Sequence, residues 1–197
     1  MIREICRGRL ETAYGVWEEI IYYDGKEEHI ALVHGDIHGK HDVPCRVHSA
    51  CISAHVFNST ECDCREQMAL AQSIIQGHGC GVVVYLEQDG RGNGHVAKVA
   101  SEALKKQGLT QSEAYERLGY ASDGRSFVRA AEILRELGVG SVALITNNPS
   151  KANDLRVSDV SVSGIISAVT EPMLEPDNVA MHALKRDKLA QSHRLES

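Results

Sequence analysis

Residues Gly79–Gln107 read GCGVVVYLEQDGRGNGHVAKVASEALKKQ. The first part, through Leu86, is a continuous apolar run of the kind found in strands buried on both faces. It passes into a loop in which Gly90, Gly92 and Gly94 alternate with Arg91 and Asn93. A helix over His95–Gln107 is predicted next, with Val96, Val99, Ala100, Ala103 and Leu104 apolar. Strand, glycine loop and helix in this order mark an α/β unit, and ligands of such units gather at the carboxyl ends of the strands. The loop is neither a GxGxxG fingerprint nor a P-loop, since no Gly-Lys-Ser/Thr follows. Asp89 and Arg91 join an acceptor to a fork of donors there, so ligand contact and a plain turn stand as equal readings.

Working outward, the region before this unit reads as strands and turns. HIALVHGDI (29–37) runs into a Gly-Asp turn, and PCRVHSAC (44–51) delivers Cys51 at its end. A helix is expected from Cys64, with Asp63 as cap and Glu66 completing a capping box, and with an end before Gly77. Beyond the glycine loop come a short helix near Ser112–Leu118, an amphipathic helix over Ser126–Leu137 that stops at Gly138, and a buried strand in SVALITN (141–147). Asn148 caps a further helix with Pro149 at its first position. Its amides and Lys151 make an anion site, against the plainer reading of a capped helix with an exposed lysine. Residues Met181–Leu195 read as a last helix. The fold class is α+β (mixed α/β): a single domain over residues 1–197, strand-rich first and alternating later, around a mixed sheet.

The chain has 197 residues, is 43% hydrophobic and 24% charged, and carries a net charge of −6. That length buries a sizeable core. The acidic balance and the scarcity of aromatics speak against nucleic acid and against an anionic membrane surface as partners. The N-terminus has no apolar signal core, and no apolar run spans a bilayer, so a cytoplasmic protein is expected.

Three of the six cysteines lie in CISAHVFNSTECDC (51–64): Cys51, Cys62 and Cys64. Three thiolates leave one corner of a zinc tetrahedron open for chemistry, whereas a closed structural site takes four protein ligands. There is no CxxC pair, so zinc ribbons and thioredoxin-type motifs fit poorly, and the deaminase pattern is missing. The alternative is three unrelated thiols acting as small apolar residues. Cys64 at the first helical position would be favoured as a thiolate by the helix dipole. Cys6, Cys45 and Cys80 are assigned to core packing. Asp123 and Arg125 precede a helix, where a cap and a solvated charge are the usual explanation. No single histidine among the ten is distinguished, although His48, His55 and His95 are candidates.

Five motifs in order, RVHSAC (46–51), CDCREQ (62–67), QDGRGNG (88–94), LGYASDGRSF (118–127) and LITNNPSK (144–151), give the chain a resemblance to the GTP cyclohydrolase II family, the zinc enzymes that open the riboflavin pathway. The resemblance covers nearly the whole chain. It implies one zinc per subunit held by Cys51, Cys62 and Cys64, Mg²⁺ accompanying the triphosphate, and a homodimer. It implies a small-molecule substrate, GTP, hydrolysed at carbon 8 of guanine with release of formate and pyrophosphate. Gln67 would contact guanine. Arg46, Val47, His48, Ser49, Ala50, Asp89, Gly90, Arg91 and Gln111 would line the nucleotide pocket, and Thr146 and Lys151 would hold its oxygens. Asp123 would accept a proton. Arg125 matches the residue assigned in the family to attack on the α-phosphate, but a guanidinium stays protonated, which makes charge stabilisation the easier role.

The sequence departs from the family inside its own motifs. Ala50 replaces a Glu, Asp89 shortens a Glu, and Gln111 stands where relatives tend to have Thr. Glu102 replaces a Tyr associated with completing the reaction, and makes this residue the candidate for altered specificity. The plainer expectation is that Glu102 pairs with Lys98 one helical turn away. An enzyme that keeps the formyl group or takes another purine nucleotide is one alternative. A non-catalytic zinc-stabilised nucleotide-binding domain is another.

Overall fold

The structure, a computed structural model, describes residues 2–170. The helix expected over Met181–Leu195 lies outside them. Two compact units are distinguished: Met1–Ser49 with Met68–Glu87 and Ser126–Val169, and Ala50–Gln67 with Gln88–Arg125 and the segment that begins at Thr170.

The first unit is built on a seven-stranded mixed sheet. Its strands are β1 (Arg3–Thr12), β2 (Gly15–Tyr23), β3 (Glu28–His34), β4 (Val43–Ser49), β5 (Gly81–Leu86), β6 (Val142–Ile145) and β7 (Val162–Ile166), in the spatial order β1-β2-β3-β5-β4-β6-β7. The β1–β2, β2–β3 and β3–β5 pairs are antiparallel. The β4–β5, β4–β6 and β6–β7 pairs are parallel, so these strands end on the same edge, where Ser49 pairs with Leu86. The apolar run predicted as a buried strand is β5, and Val82, Val83 and Val84 are fully buried.

Helices cover both faces. On one, α5 (Val128–Glu136) and α6 (Pro149–Val157) pack Ala130, Ala131, Ile133, Leu134, Ala152 and Leu155 against Val47, Val82, Val84 and Leu144. On the other, α2 (Cys64–His78) sets Ala71 and Ile75 against Trp17, Val83 and Ile145. The helix α2 begins at Cys64 as expected but runs past Gly77. The residue that ends it is Gly79, with φ +84, whose amide donates to the Ile75 carbonyl. Glycine in the left-handed region is the usual helix stop, and Gly77 is not in it. The Asp63 carboxylate accepts from the Gln67 side chain at 2.9 Å and from the Thr170 hydroxyl at 3.0 Å. Cys45 lies in the core and half-buried Cys80 packs against it, as expected, but Cys6 lies exposed on the edge strand β1.

The second unit holds the short α1 (Ile52–His55), the first turn of α2, a 3₁₀ turn at Gly90–Gly92, α3 (His95–Lys105) and α4 (Gln111–Arg117). A complete capping box is formed at α4. The Thr110 hydroxyl accepts from the Glu113 amide and the Glu113 carboxylate accepts from the Thr110 amide. The apolar stripe expected on α3 is turned outward: Val96 is 77% exposed and Val99 57%, while Ala97 and Ser101 form its buried side. Small residues let α3 approach its neighbours closely, and the larger valines do not fit there.

Candidate metal centre and nucleotide-binding residues

In the second unit, chain geometry gathers three sulfurs. Cys51 precedes α1, Cys64 opens α2, and Cys62 lies two residues earlier, so that one atom from each lies within 4.8 Å of the others. Zinc–sulfur bonds of about 2.3 Å at tetrahedral angles would separate two sulfurs by about 3.8 Å. The Cys51 and Cys62 sulfurs stand 3.6 Å apart. Among the described residues the cluster numbers three, the ligand set of a metal site with an open corner.

The electrostatics agree with a metal-ready site. The Cys51 thiol is held far below its ordinary pKa, first by the hydrogen bond from Cys62, then by that from Cys64 and, against burial, by that from Lys98. The same sharing pushes Cys62 and Cys64 upward, with burial adding to it. Lys98 Nζ donates to Cys51 Sγ at 2.9 Å. Burial works against that ammonium, but the sulfur charge outweighs it and the net shift is upward. In the sequence Lys98 stands only as a partner for Glu102, and it lies in none of the five motifs.

The glycine loop resolves into a brace. Asp89 is buried and points inward. Its Oδ1 accepts from the Gly90 amide at 2.6 Å, and its Oδ2 from the Ile52 amide at 3.2 Å and opposite His95 Nδ1 at 3.1 Å. Its carboxylate therefore fastens the residue after Cys51 rather than standing open as an acceptor. Gly90 and Arg91 follow in left-handed conformation, with φ +61 and +56. Arg91 Nη1 donates to the Ser112 hydroxyl at 2.9 Å. Gly92 lets the turn at Gly124 approach: a side-chain carbon there would lie 2.7 Å from the Gly124 carbonyl. The Gly124 amide donates to the Arg91 carbonyl at 2.8 Å, and Asn93 Nδ2 to the Ala121 carbonyl at 2.8 Å.

That docking places Asp123 and Arg125. Arg125 Nε donates to Asp123 Oδ1 at 2.9 Å, and Nη2 to Oδ2 at 2.5 Å. Burial raises the Asp123 pKa, but the hydrogen bonds and charge of Arg125 outweigh it and hold the carboxyl below its ordinary value. Gln111 Nε2 donates to the Ser101 hydroxyl at 2.7 Å. Glu102 pairs with Lys105 at 3.1 Å and not with Lys98, whose ammonium is drawn to the Cys51 sulfur instead. Ala50 is buried.

In the first unit, the remaining candidates lie along β4, just after β6 and on α6. Arg46 is buried, with Nε donating to His48 Nδ1 at 3.3 Å and Nη1 to the Ile145 carbonyl at 3.0 Å. His48 stacks on Tyr85 at 6.1 Å, and Ser49 closes β4. The Val47 side chain belongs to the core, and its carbonyl accepts from Lys151 Nζ at 3.0 Å. Lys151 is only 6% exposed, which removes the reading of an exposed lysine, and its ammonium lies 5.4 Å from the Phe127 ring centre. The Asn148 side chain caps α6 by accepting from the Ser150 amide at 2.9 Å, as expected, and Thr146 Oγ1 accepts from the Asn148 amide at 3.0 Å. No helix among the described residues is long and apolar enough to cross a membrane.

The chain is similar to known proteins. A family model described as GTP cyclohydrolase II matches residues 3–167. The chain is 34% identical over 173 residues to a GTP cyclohydrolase-2 of Picrophilus torridus, covering 87% of this chain and 90% of that protein. It is 36% identical over 163 residues to a GTP cyclohydrolase-2 of Actinobacillus succinogenes, covering 82% of this chain and 75% of that one. With riboflavin biosynthesis protein RibBA of Bacillus mycoides the identity is 41% over 156 residues, 78% of this chain but 39% of that longer protein. A family match running from the first strand to the last, with relatives at this identity covered to 90% and 75% of their own length, decides the relationship: the chain belongs to the GTP cyclohydrolase II family.

Proposed function

We propose that this protein hydrolyses GTP, opening the guanine imidazole at carbon 8 and releasing formate and pyrophosphate, as the first step of riboflavin-type biosynthesis. The observation that carries the reading is the three-sulfur cluster of Cys51, Cys62 and Cys64 with Lys98 on its first sulfur. A purely structural zinc site has no use for an open corner or for the charged residues around it. Zinc bound there supplies Lewis acidity and an acidic water, and so hydrolytic power near neutral pH.

The chain's own residues supply the rest. Asp123 is kept ionised by Arg125 and so is set to accept a proton. Arg125 remains a cation and offsets charge on the leaving pyrophosphate. Gln67 reads guanine, with Gln111 and the Arg46–Ala50 segment lining the nucleotide. Gly90 and Arg91 approach it as backbone and cation, and Asp89 holds their loop. Lys151 and Thr146 bind oxygens, with Mg²⁺ neutralising the triphosphate. The same proposal includes one zinc per subunit, one functional domain, a cytoplasmic homodimer, and no nucleic-acid or membrane partner.

A second reading rests on Glu102. A carboxylate only accepts hydrogen bonds where a phenol donates, and Lys105 Nζ donates to it at 3.1 Å. On this reading the enzyme retains the formyl group. The test is incubation with GTP and Mg²⁺ and identification of products by mass spectrometry. Formate and pyrophosphate in equal yield support the first reading and exclude the second. Pyrophosphate with a formylated pyrimidine supports the second and excludes the first, and intact GTP overturns both.

A further inference from the structure

Tyr115 has no place in the site as assigned so far. It lies on α4, its ring is buried to 1% exposure, and it meets Tyr120 edge-on with ring centres 6.5 Å apart. Its hydroxyl reaches the glycine loop: a side-chain carbon built on Gly90 would lie 3.3 Å from the Tyr115 oxygen and 3.3 Å from Lys98 Cβ. Among the described residues that hydroxyl has no hydrogen-bond partner, although the residue is almost wholly buried. A buried tyrosine whose hydroxyl lacks a partner beside a glycine loop is an arrangement that a ligand completes.

The surroundings say which kind. Burial pushes the phenol pKa up, so the group is neutral and can donate, and Arg91 and Lys98 both lie close enough to act on it electrostatically. One helical turn back on the same face of α4, Ser112 holds the Arg91 guanidinium at 2.9 Å. One helix thus presents a neutral donor and steadies a cation over a loop with no side chain at Gly90 to block approach. An oxygen that carries negative charge fits that pair.

We propose that Tyr115 is a substrate-contacting residue whose hydroxyl donates a hydrogen bond to an anionic phosphate oxygen of the bound nucleotide, beside Arg91. The proposal deepens the reading of this chain as a GTP-binding enzyme and rests on it.

The test is Tyr115→Phe, which keeps the ring and removes only the oxygen. Binding of a non-hydrolysable GTP analogue and of inorganic pyrophosphate, each with Mg²⁺, is measured by calorimetry for both proteins, alongside their melting temperatures. The expected result is affinity for both ligands weakened about tenfold or more, the scale of a hydrogen bond to a charged group, with the melting temperature unchanged. A purely structural tyrosine would leave both affinities within about twofold, and that outcome overturns the proposal, as does a wild-type protein that binds neither ligand. Retained pyrophosphate binding, lost in the variant, with GTP left intact on incubation would keep the Tyr115 contact while overturning the cyclohydrolase reading.

Discussion

Gly92→Ala tests whether the placement of the Asp123–Arg125 turn governs turnover. The new carbon would lie 2.7 Å from both the carbonyl carbon and oxygen of Gly124 and 2.9 Å from the Arg125 amide nitrogen. Carbon atoms rest about 3.5–4.0 Å apart, so the shortfall is about 1 Å. All three obstructing atoms are backbone, so no side chain can swing aside. Alanine at φ +81 adds about 1–2 kcal/mol of conformational strain, and displacing the packed turn adds about 1–3 kcal/mol. Gly119 provides the control: its φ is also +81, but a side-chain carbon there meets nothing within 4 Å. Gly119→Ala should therefore lose only the conformational part. Moving Asp123 and Arg125 by about 1 Å is expected to lower kcat about 100-fold in Gly92→Ala, against a change within about threefold in Gly119→Ala. The assay is pyrophosphate release from GTP, with urea unfolding of the same samples. Wild-type kcat in Gly92→Ala would refute the link between this contact and catalysis. Equal losses of stability in the two variants would show that backbone conformation, not the contact, sets the cost.

Cys62→Ser removes one of three clustered sulfurs, and zinc content after dialysis should fall below the detection limit of elemental analysis while the circular dichroism of the sheet persists. Lys98→Met takes away the ammonium on Cys51, and chelator competition should show metal affinity lowered roughly 10–100-fold, the range for partners that orient a ligand from outside. Asp24→Asn probes the first unit. That carboxylate accepts from the Lys26 and Glu27 amides at 2.9 Å and from Arg129 Nε at 3.0 Å, and the Glu27 amide foremost holds its pKa far below the ordinary value. A depressed folded-state pKa gives stability that is present above the unfolded value of about 3.9 and is lost as pH falls through the folded one. The variant should be less stable by about 1–2 kcal/mol at neutral pH, with the gap closing in urea melts below about pH 4. A gap that stays constant with pH would place the loss in packing instead.

The parts of the fold legible in sequence are those with an unbroken apolar signal. The strands β5 and β6 announce themselves as apolar runs, and α5 through apolar residues at helical spacing that end at a glycine. The strand β7 does not: its five residues alternate between half-buried and exposed, and pairing with β6 is what makes it a strand. The apolar stripe of α3 shows the opposite failure. Val96 and Val99 have helical spacing, but the buried side belongs to Ala97 and Ser101, because close approach there selects for size over hydrophobicity. Lys151 was legible as a residue near the cap of α6 but not as a buried one, since its partners, the Val47 carbonyl and the Phe127 ring, come from distant segments.

The glycine loop carries the same lesson into the site. From sequence its acidic and basic residues were equally a ligand grip and a turn, and the structure gives them separate tasks. Asp89 binds the amide of Ile52, and nine residues further on Lys98 binds the sulfur of Cys51. One loop-and-helix segment thus fixes both the backbone and the charge of the first sulfur. The other two need less help, since only one residue separates them in the chain and the second opens a helix. A cluster drawn from two distant points closes only if the far point is anchored. That anchor is 47 residues away from Cys51 in the case of Lys98, a distance at which no spacing rule operates. The three-sulfur cluster could therefore be read from the sequence, but the residues that hold it in place could not. A loss of zinc affinity in Lys98→Met without loss of fold would be the signature of that division of labour.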